Sequence, residues 1–323
     1  MFTEGYDAQF IGAVLPGPMG MAADFGLPPG AMWPALSSGL VVLMLGAFLI
    51  APLADSAFGL AAYGTRLRWL EAWVGVAAYG VQLLNDFAGY SHMALGLALL
   101  FGLRLPVNFL APYTAGSIIE FWRRWHMSLS SWFRDYLYVP LGGNRVTPAR
   151  TYVNLVTVFF LCGLWHGASW NFVIWGLFHG AFLVIERLGL AMRIRSLWRP
   201  LRHVYLLLVV MVGWVFFRAD TLPGALAFLA AMAGRGATAP TPFTVQWYLT
   251  PLLWLTLAAG VVGSMPIGPS LDRWRAQRAA DTGDGRAPLP IAVAGAGVVV
   301  LVLLAAIVQI AARTYNPFIY FRF

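Results

Sequence analysis

Long apolar stretches dominate the chain, and short polar or basic segments separate them. Apolar stretches that approach about 20 residues predict helices able to cross a lipid bilayer. The pattern therefore predicts an all-α, polytopic transmembrane helical bundle. The candidate spans are residues 37–53, 70–84, 152–165, 168–185, 204–217, 247–262 and 291–312, with a shorter, tilted or re-entrant helix at 92–105.

Residues 117–138 follow a different pattern, in which charged side chains alternate with aromatic ones. A helix of this composition lies at a membrane interface or packs inside a protein cavity rather than facing lipid. We therefore expect a central interfacial or re-entrant helical region here. The Gly, Asn and Pro residues of 141–148 predict the turn that follows it.

The pattern divides the chain into two parts. Residues 1–36 are rich in Gly, Pro and Met and predict an irregular segment, which lacks the basic start of a signal peptide. Residues 37–323 predict one transmembrane domain without an internal repeat. A charged linker is expected within it at 271–290.

The composition supports a membrane protein. Only 11% of the residues are charged, against about 25% in soluble domains, so lipid must be part of the solvent. The net charge is +8, and arginines are concentrated at 123–150, 187–202 and 273–286. Basic loops of this kind lie in the cytoplasm, so the charge indicates topology and not a nucleic-acid partner. Cys162 is the single cysteine, and no Cys/His spacing predicts a metal site.

His166 is the first candidate for chemistry. It lies between two apolar stretches whose outer ends are both basic. The 14 residues before it span about 21 Å as a helix, which is less than the roughly 30 Å of the hydrocarbon core. His166 should therefore lie within the membrane, where an ionisable residue indicates function. The alternative is a hydrogen-bonded core histidine at a helix break.

Two further candidates have polar neighbours. His126 follows Arg123, Arg124 and several aromatic residues, which together can hold a phosphate or a nucleotide. The alternative is an interfacial helix with a tryptophan belt. Asp86 lies in an apolar stretch, so its carboxylate needs a partner such as Arg104, Arg123 or Arg124, in either a structural or a catalytic pair.

Four segments of the sequence are more specific than these patterns. They are FWRRWHMSLSSWFRDYLYVPLGGNR at 121–145, TYVNLVTVFFLCGLWHGASWNFVIWGLFHG at 151–180, QLLNDFAGYSHMALGLALLFGLRLPVNF at 82–109 and GWVFFRADTLPGALAFL at 213–229. They resemble the membrane-bound O-acyltransferase (MBOAT) family, and within it the branch that acetylates alginate. The branch that adds D-alanine to teichoic acid is similar. The resemblance extends from about residue 37 to the terminal TYNPFIYFRF.

The resemblance implies a fold and a set of functional residues. The fold is a ring of tilted helices around a thinned centre, which a channel crosses. His166, in GLWHG, is the implied catalytic histidine, and His126, in RRWH, is the second. The implied substrate-binding residues are Trp122, Arg123, Arg124, Asp86, Asn144 and Trp165.

The resemblance also implies a reaction. Neutral His166, with an ordinary imidazole pKa near 6.5, takes the proton of an acceptor hydroxyl as its oxygen attacks an acetyl thioester. His126, Arg123 and Arg124 position or polarise the donor, which is acetyl-CoA or another acetyl thioester, and no cofactor is bound tightly. The acceptor is an exported, alginate-like polysaccharide or a periplasmic acetyltransferase that relays the acetyl group. The implied location is the bacterial inner membrane.

Members of this branch are much longer, so we expect the chain to match only their C-terminal part. His92 also stands where the family has an acidic residue, and Leu84 and Asn85 replace an aromatic pair. Three other readings stay open: D-alanyl transfer to teichoic acid, a non-catalytic remnant or scaffold of an acetylation complex, and a transporter. A transporter predicts two similar halves with broken helices, a repeat that the sequence does not have.

Overall fold

A computed structural model describes residues 50–62, 67–101, 103, 105–236, 250–263 and 265, together with positions 297, 300, 301 and 304. Every regular element in these residues is a helix, which confirms the all-α prediction. The α-helices are α1 (Ala51–Ala62), α2 (Trp69–Leu100), α3 (Ile118–Trp122), α4 (Met127–Phe133), α5 (Pro148–His166), α6 (Trp170–Ile185), α7 (Ala191–Ser196), α8 (Arg199–Arg218), α9 (Leu222–Ala230) and α10 (Pro251–Gly263).

Two of the described helices are long and apolar enough to cross a membrane. One runs over Trp170–Ser196, through α6, a π-helical turn at Glu186–Leu190 and α7, and the other is α8. The basic segment 187–202, predicted as a loop, is therefore largely helical. The predictions at 1–36 and 271–290, and most of those at 37–53 and 291–312, fall outside the described residues.

Helix α2 corrects the prediction of separate stretches at 70–84 and 92–105. It is a single helix of 32 residues, and hydrogen bonds along the helix satisfy part of the polar side chains near its middle, while Oε1 of Gln82 and Oδ1 of Asp86 have no partner among the described residues. Asn85 donates to the carbonyl of Val81 at 2.7 Å, and Gln82 donates to Asp86 at 3.4 Å. Both bonds join residues four positions apart, so they leave the backbone hydrogen bonds intact.

Helices α5 and α6 pack as a close pair, and glycines make their approach possible. A Cβ atom on Gly176 would lie 2.2 Å from the carbonyl oxygen of Phe159, and one on Gly163 would lie 2.4 Å from that of Phe172. Small residues at a helix crossing allow backbones to come this close. The pairing places His166, the last residue of α5, beside Trp175 of α6.

Residues 117–138 form three short pieces and not one helix. Helix α3 ends at Trp122, α4 begins at Met127, and a π-helical turn covers Arg134–Tyr138. His126, between α3 and α4, has a φ of 46°, in the left-handed region that residues with a Cβ rarely adopt. This break turns the chain so that both short helices face the same interior space.

Candidate active site

A cavity of about 810 Å³ lies between α3, α4, α5, α6 and α8. Its volume is within the usual range for small-molecule sites, about 300–1,000 Å³. Both predicted functional histidines, His126 and His166, line it. Residues 40 positions apart in the sequence therefore meet in one space.

Aromatic rings hold His166 at the cavity wall. The ring centroids of Trp165, Trp175 and Phe217 lie 4.8, 5.0 and 5.1 Å from its own, each at a steep angle to its plane. Within the described part of the chain, no hydrogen bond is made by either imidazole nitrogen. The ring is thus fixed by packing, and its nitrogens are available to a molecule in the cavity.

His126 is fixed by a hydrogen bond as well as by packing. Its Nδ1 lies 3.1 Å from Oδ1 of Asn108, and the ring of Phe87 meets it edge-on with centroids 4.6 Å apart. Both imidazoles border the same cavity.

Of the three residues at 122–124, two line the cavity and the third turns away. Trp122 and Arg123 are lining residues. Arg124 forms an ion pair with Glu120 and donates to Oγ1 of Thr114 at 2.9 Å. Its guanidinium is therefore held by Glu120 and Thr114, and Arg124 is not among the residues that line the cavity.

The other predicted substrate-binding residues lie outside the cavity lining. Asp86 is buried and accepts a hydrogen bond from Gln82, while Arg104, one of its expected partners, lies outside the described residues. Asn144 accepts from the hydroxyl of Tyr138 at 2.6 Å and from Arg187 at 2.9 Å. Trp165 is 57% exposed and touches His166 from outside.

Several arginines that the sequence analysis assigned to cytoplasmic segments line the same cavity. Among its lining residues Glu120 is the one carboxylate, and it already pairs with Arg124. The cavity wall is therefore basic, and the arginine-rich segments 123–150 and 187–202 were the signal of this in the sequence. The lining arginines are Arg123, Arg134, Arg187, Arg195 and Arg202.

His179 and His203 lie outside the cavity lining. His179 is fully buried, with its ring against Trp122 and Trp175. His203 is half-buried, and its Nδ1 lies 3.0 Å from the carbonyl oxygen of Ala115.

Comparison with known proteins identifies the family of the chain. Residues 31–223 match the model of the family described as "MBOAT, membrane-bound O-acyltransferase family", and this stretch contains both cavity histidines.

Three relatives illustrate the similarity. A protein named "probable alginate O-acetylase AlgI", from Azotobacter vinelandii, is 53% identical over 58% of this chain and 37% of its own length. A peptidoglycan O-acetyltransferase of Helicobacter pylori is 42% identical over 62% of this chain and 39% of its own. A teichoic acid D-alanyltransferase of Streptococcus thermophilus is 42% identical over 33% of this chain and 28% of its own. The chain thus spans well under half the length of each of these relatives. By its match over residues 31–223, the chain belongs to the membrane-bound O-acyltransferase family.

Proposed function

We propose that the protein transfers an acetyl group from a cytoplasmic thioester to a hydroxyl group on the other side of the membrane. The hydroxyl oxygen attacks the thioester carbonyl, and neutral His166 takes the hydroxyl proton. The carbon–sulfur bond then breaks, and the thiolate leaves and recovers a proton from His166. One ester and one thiol replace one alcohol and one thioester.

The observation that carries the proposal is that His166 and His126 line one cavity. General acid–base catalysis needs an imidazole that a substrate can reach, and the nitrogens of His166 make no hydrogen bond to another described residue. The Helicobacter and Azotobacter relatives are named as O-acetylating proteins, which favours an acetyl group as the one transferred.

The arginines of the cavity wall support a phosphate-bearing donor. Guanidinium groups bind phosphate through paired hydrogen bonds, and acetyl-CoA carries several phosphates at the end remote from its thioester. Arg187, Arg195 and Arg202 would hold these phosphates, while the acetyl group reaches towards the histidines. Arg123, closer in sequence to His126, would hold the middle of the donor.

The names of the relatives and the pattern of basic segments indicate the acceptor and the side of the membrane from which it arrives. The acceptor is an exported polysaccharide of the alginate kind, or a periplasmic acetyltransferase that relays the acetyl group to it. The chain would cross the bacterial inner membrane several times as a ring of tilted helices, with the basic segments in the cytoplasm. A thioester from inside and a hydroxyl from outside would then meet at His166.

The test is the variant His166→Ala in the intact protein, with the acetyl-ester content of exported polymer as the measurement. We expect acetylation to fall by about a hundredfold or more, since general acid–base catalysis contributes at least that factor. His203→Gln is the matched control, because that residue lies outside the cavity lining and glutamine can keep its contact with Ala115. Full acetylation by His166→Ala, at an unchanged protein level in the membrane, would refute the proposal.

The similarity to a teichoic acid D-alanyltransferase supports a second candidate, the transfer of D-alanine from a carrier-bound thioester. Membranes supplied with either acetyl-CoA or a D-alanyl carrier thioester distinguish the two reactions. Ester formation from the D-alanyl donor alone would favour the second candidate.

A further inference from the structure

Asn108 contacts the turn at His126 through both its backbone and its side chain. Its backbone carbonyl accepts from the amide of Met127 at 2.9 Å. Its side-chain Oδ1 accepts from the amide of Ser128 at 3.3 Å and from the Ser128 hydroxyl at 3.0 Å, while its Nδ2 donates to Oγ of Ser91 at 3.1 Å. The asparagine is thus held from both sides.

These contacts decide which end of the Asn108 amide faces His126. A backbone N–H can only donate, so the atom that meets the Ser128 amide must be the carbonyl oxygen. The same oxygen lies 3.1 Å from Nδ1 of His126. The Ser128 hydroxyl is farther from Nδ1, at 3.4 Å, and its hydrogen goes to the Asn108 oxygen at 3.0 Å. A carbonyl oxygen only accepts, so Nδ1 carries the hydrogen.

We propose that Asn108 is a positioning residue that holds neutral His126 with its hydrogen on Nδ1 and its lone pair on Nε2. Among the described residues, Nε2 has no hydrogen-bond partner, and the His126 ring lines the cavity. Given the proposed function, Nε2 accepts a hydrogen bond from an O–H or N–H group of a substrate. That group is the acceptor hydroxyl or an amide of the thioester's pantetheine arm.

This assignment changes the role expected for His126 from the sequence. A neutral imidazole with its only hydrogen on Nδ1 cannot donate to the thioester carbonyl through Nε2, so it cannot polarise that carbonyl. The left-handed backbone of His126 supports a functional position, because such a conformation is strained and persists only where its surroundings impose it. The Asn108 contacts on Met127 and Ser128 provide that constraint.

The test combines a spectroscopic measurement with kinetics on the full-length protein. Nitrogen-15 spectra of histidine-labelled protein, taken under mildly alkaline conditions, report which ring nitrogen carries hydrogen, and a His126→Gln sample assigns the signal. We expect Nδ1–H in the wild type and a mixture of tautomers in Asn108→Leu. Asn108→Asp keeps an oxygen acceptor, so it should restore the Nδ1–H form.

The catalytic efficiency of each variant should depend on how much of its His126 has the hydrogen on Nδ1. We expect kcat/KM of Asn108→Leu to fall at least about tenfold, as for other residues that orient a histidine, and Asn108→Asp to recover most of it. A rise in KM for the hydroxyl substrate identifies the acceptor as the group bound at Nε2, and a rise in KM for the thioester identifies the donor. Asn154→Leu is the control, since it also removes an asparagine amide, one that bonds to the carbonyl of Leu141 and does not line the cavity.

Two results would overturn the assignment: an Nε2–H signal for His126 in the wild type, or an Asn108→Leu variant with unchanged tautomer and kinetics. The spectra do not require an active enzyme. They therefore report the tautomer of His126 even in a variant that is inactive for another reason. A wild-type protein with the Nδ1–H signal but no acyl transfer would instead count against the proposed function alone.

Discussion

The buried carboxylate of Glu186 accepts a hydrogen bond of 2.7 Å from the backbone amide of Ile118, at the start of α3. Its second oxygen accepts from the amide of Ile119 at 3.0 Å, and the hydroxyl of Tyr205 donates to the first at 3.0 Å. The first amides of a helix have no partner within it and favour negative charge. Glu186 thus joins the end of α6 to the helix that carries Trp122.

Replacing Glu186 with alanine should destabilise the protein and distort the cavity. The change leaves two buried amides and a hydroxyl without an acceptor, which costs about 1–3 kcal/mol for each group that stays unsatisfied. We expect a lower thermal unfolding midpoint in detergent and reduced acyl transfer. The unfolding midpoint of Glu186→Gln should lie between those of the wild type and Glu186→Ala. A glutamine side chain has one acceptor oxygen, so it can replace only one of the two carboxylate oxygens.

Asp135→Asn is the control for Glu186. It also removes a carboxylate, but a partly exposed one that pairs with its neighbour Arg134, and such pairs contribute little to stability. Equal unfolding midpoints for the Glu186→Ala and Asp135→Asn variants would show that Glu186 does not anchor α3.

A methyl group at position 176 should separate α5 from α6. The added Cβ of Gly176→Ala would lie 2.2 Å from the Phe159 carbonyl oxygen, and backbone cannot yield as a flexible side chain does. Overpacking of this kind costs about 1–3 kcal/mol, so we expect a lower unfolding midpoint and weaker acyl transfer. Gly59→Ala in α1 is the matched control, because a Cβ there meets nothing within 4 Å, and it should be neutral or slightly stabilising.

The two arginines near the end of α7 should differ in their effect on the donor. Arg195 lines the cavity, whereas Arg193, two positions earlier on the same short helix, does not. Arg195→Gln should raise KM for acetyl-CoA about tenfold, since one charged hydrogen bond contributes about 1.5–3 kcal/mol, and leave KM for the acceptor unchanged.

Arg193→Gln carries the same loss of charge without the loss of a cavity contact, so its KM for acetyl-CoA should stay near that of the wild type. Initial rates at varied acetyl-CoA concentration, measured at constant ionic strength, give both values. Equal changes in the two variants would mean that the donor responds to overall charge and not to the cavity wall.

Local pattern was enough to predict that the described part of the chain is helical and where some of its helices end. The interruption at His166 and Gly167 does end α5, and α6 begins three residues later at Trp170, because glycine and a polar residue between apolar stretches favour a helix end. The same reasoning failed for α2. The stretches 70–84 and 92–105 were predicted to be separate, but the helix continues through the polar residues between them, where side-chain bonds such as Asn85 to Val81 run along the helix.

The site was only partly readable from the sequence. The motifs named His166 and His126, and both line the cavity. They also named Asn144, whose contacts are with Tyr138 and Arg187, and they did not name Asn108. A motif records which residues occur together in a family, but it does not record which direction each side chain takes.

The sequence by itself determined that the protein is helical, apolar and basic, and that His166 stands at a break between two helices, because these properties depend on residues close together in the chain. Only the tertiary structure decided that Arg123 faces the cavity while Arg124 turns to Glu120, that Glu186 holds the start of α3, and that Asn108 orients His126. Most of these contacts join residues from separate segments. They depend on how the helices pack, since hydrogen bonds and ion pairs act over a few ångströms and are indifferent to distance along the chain.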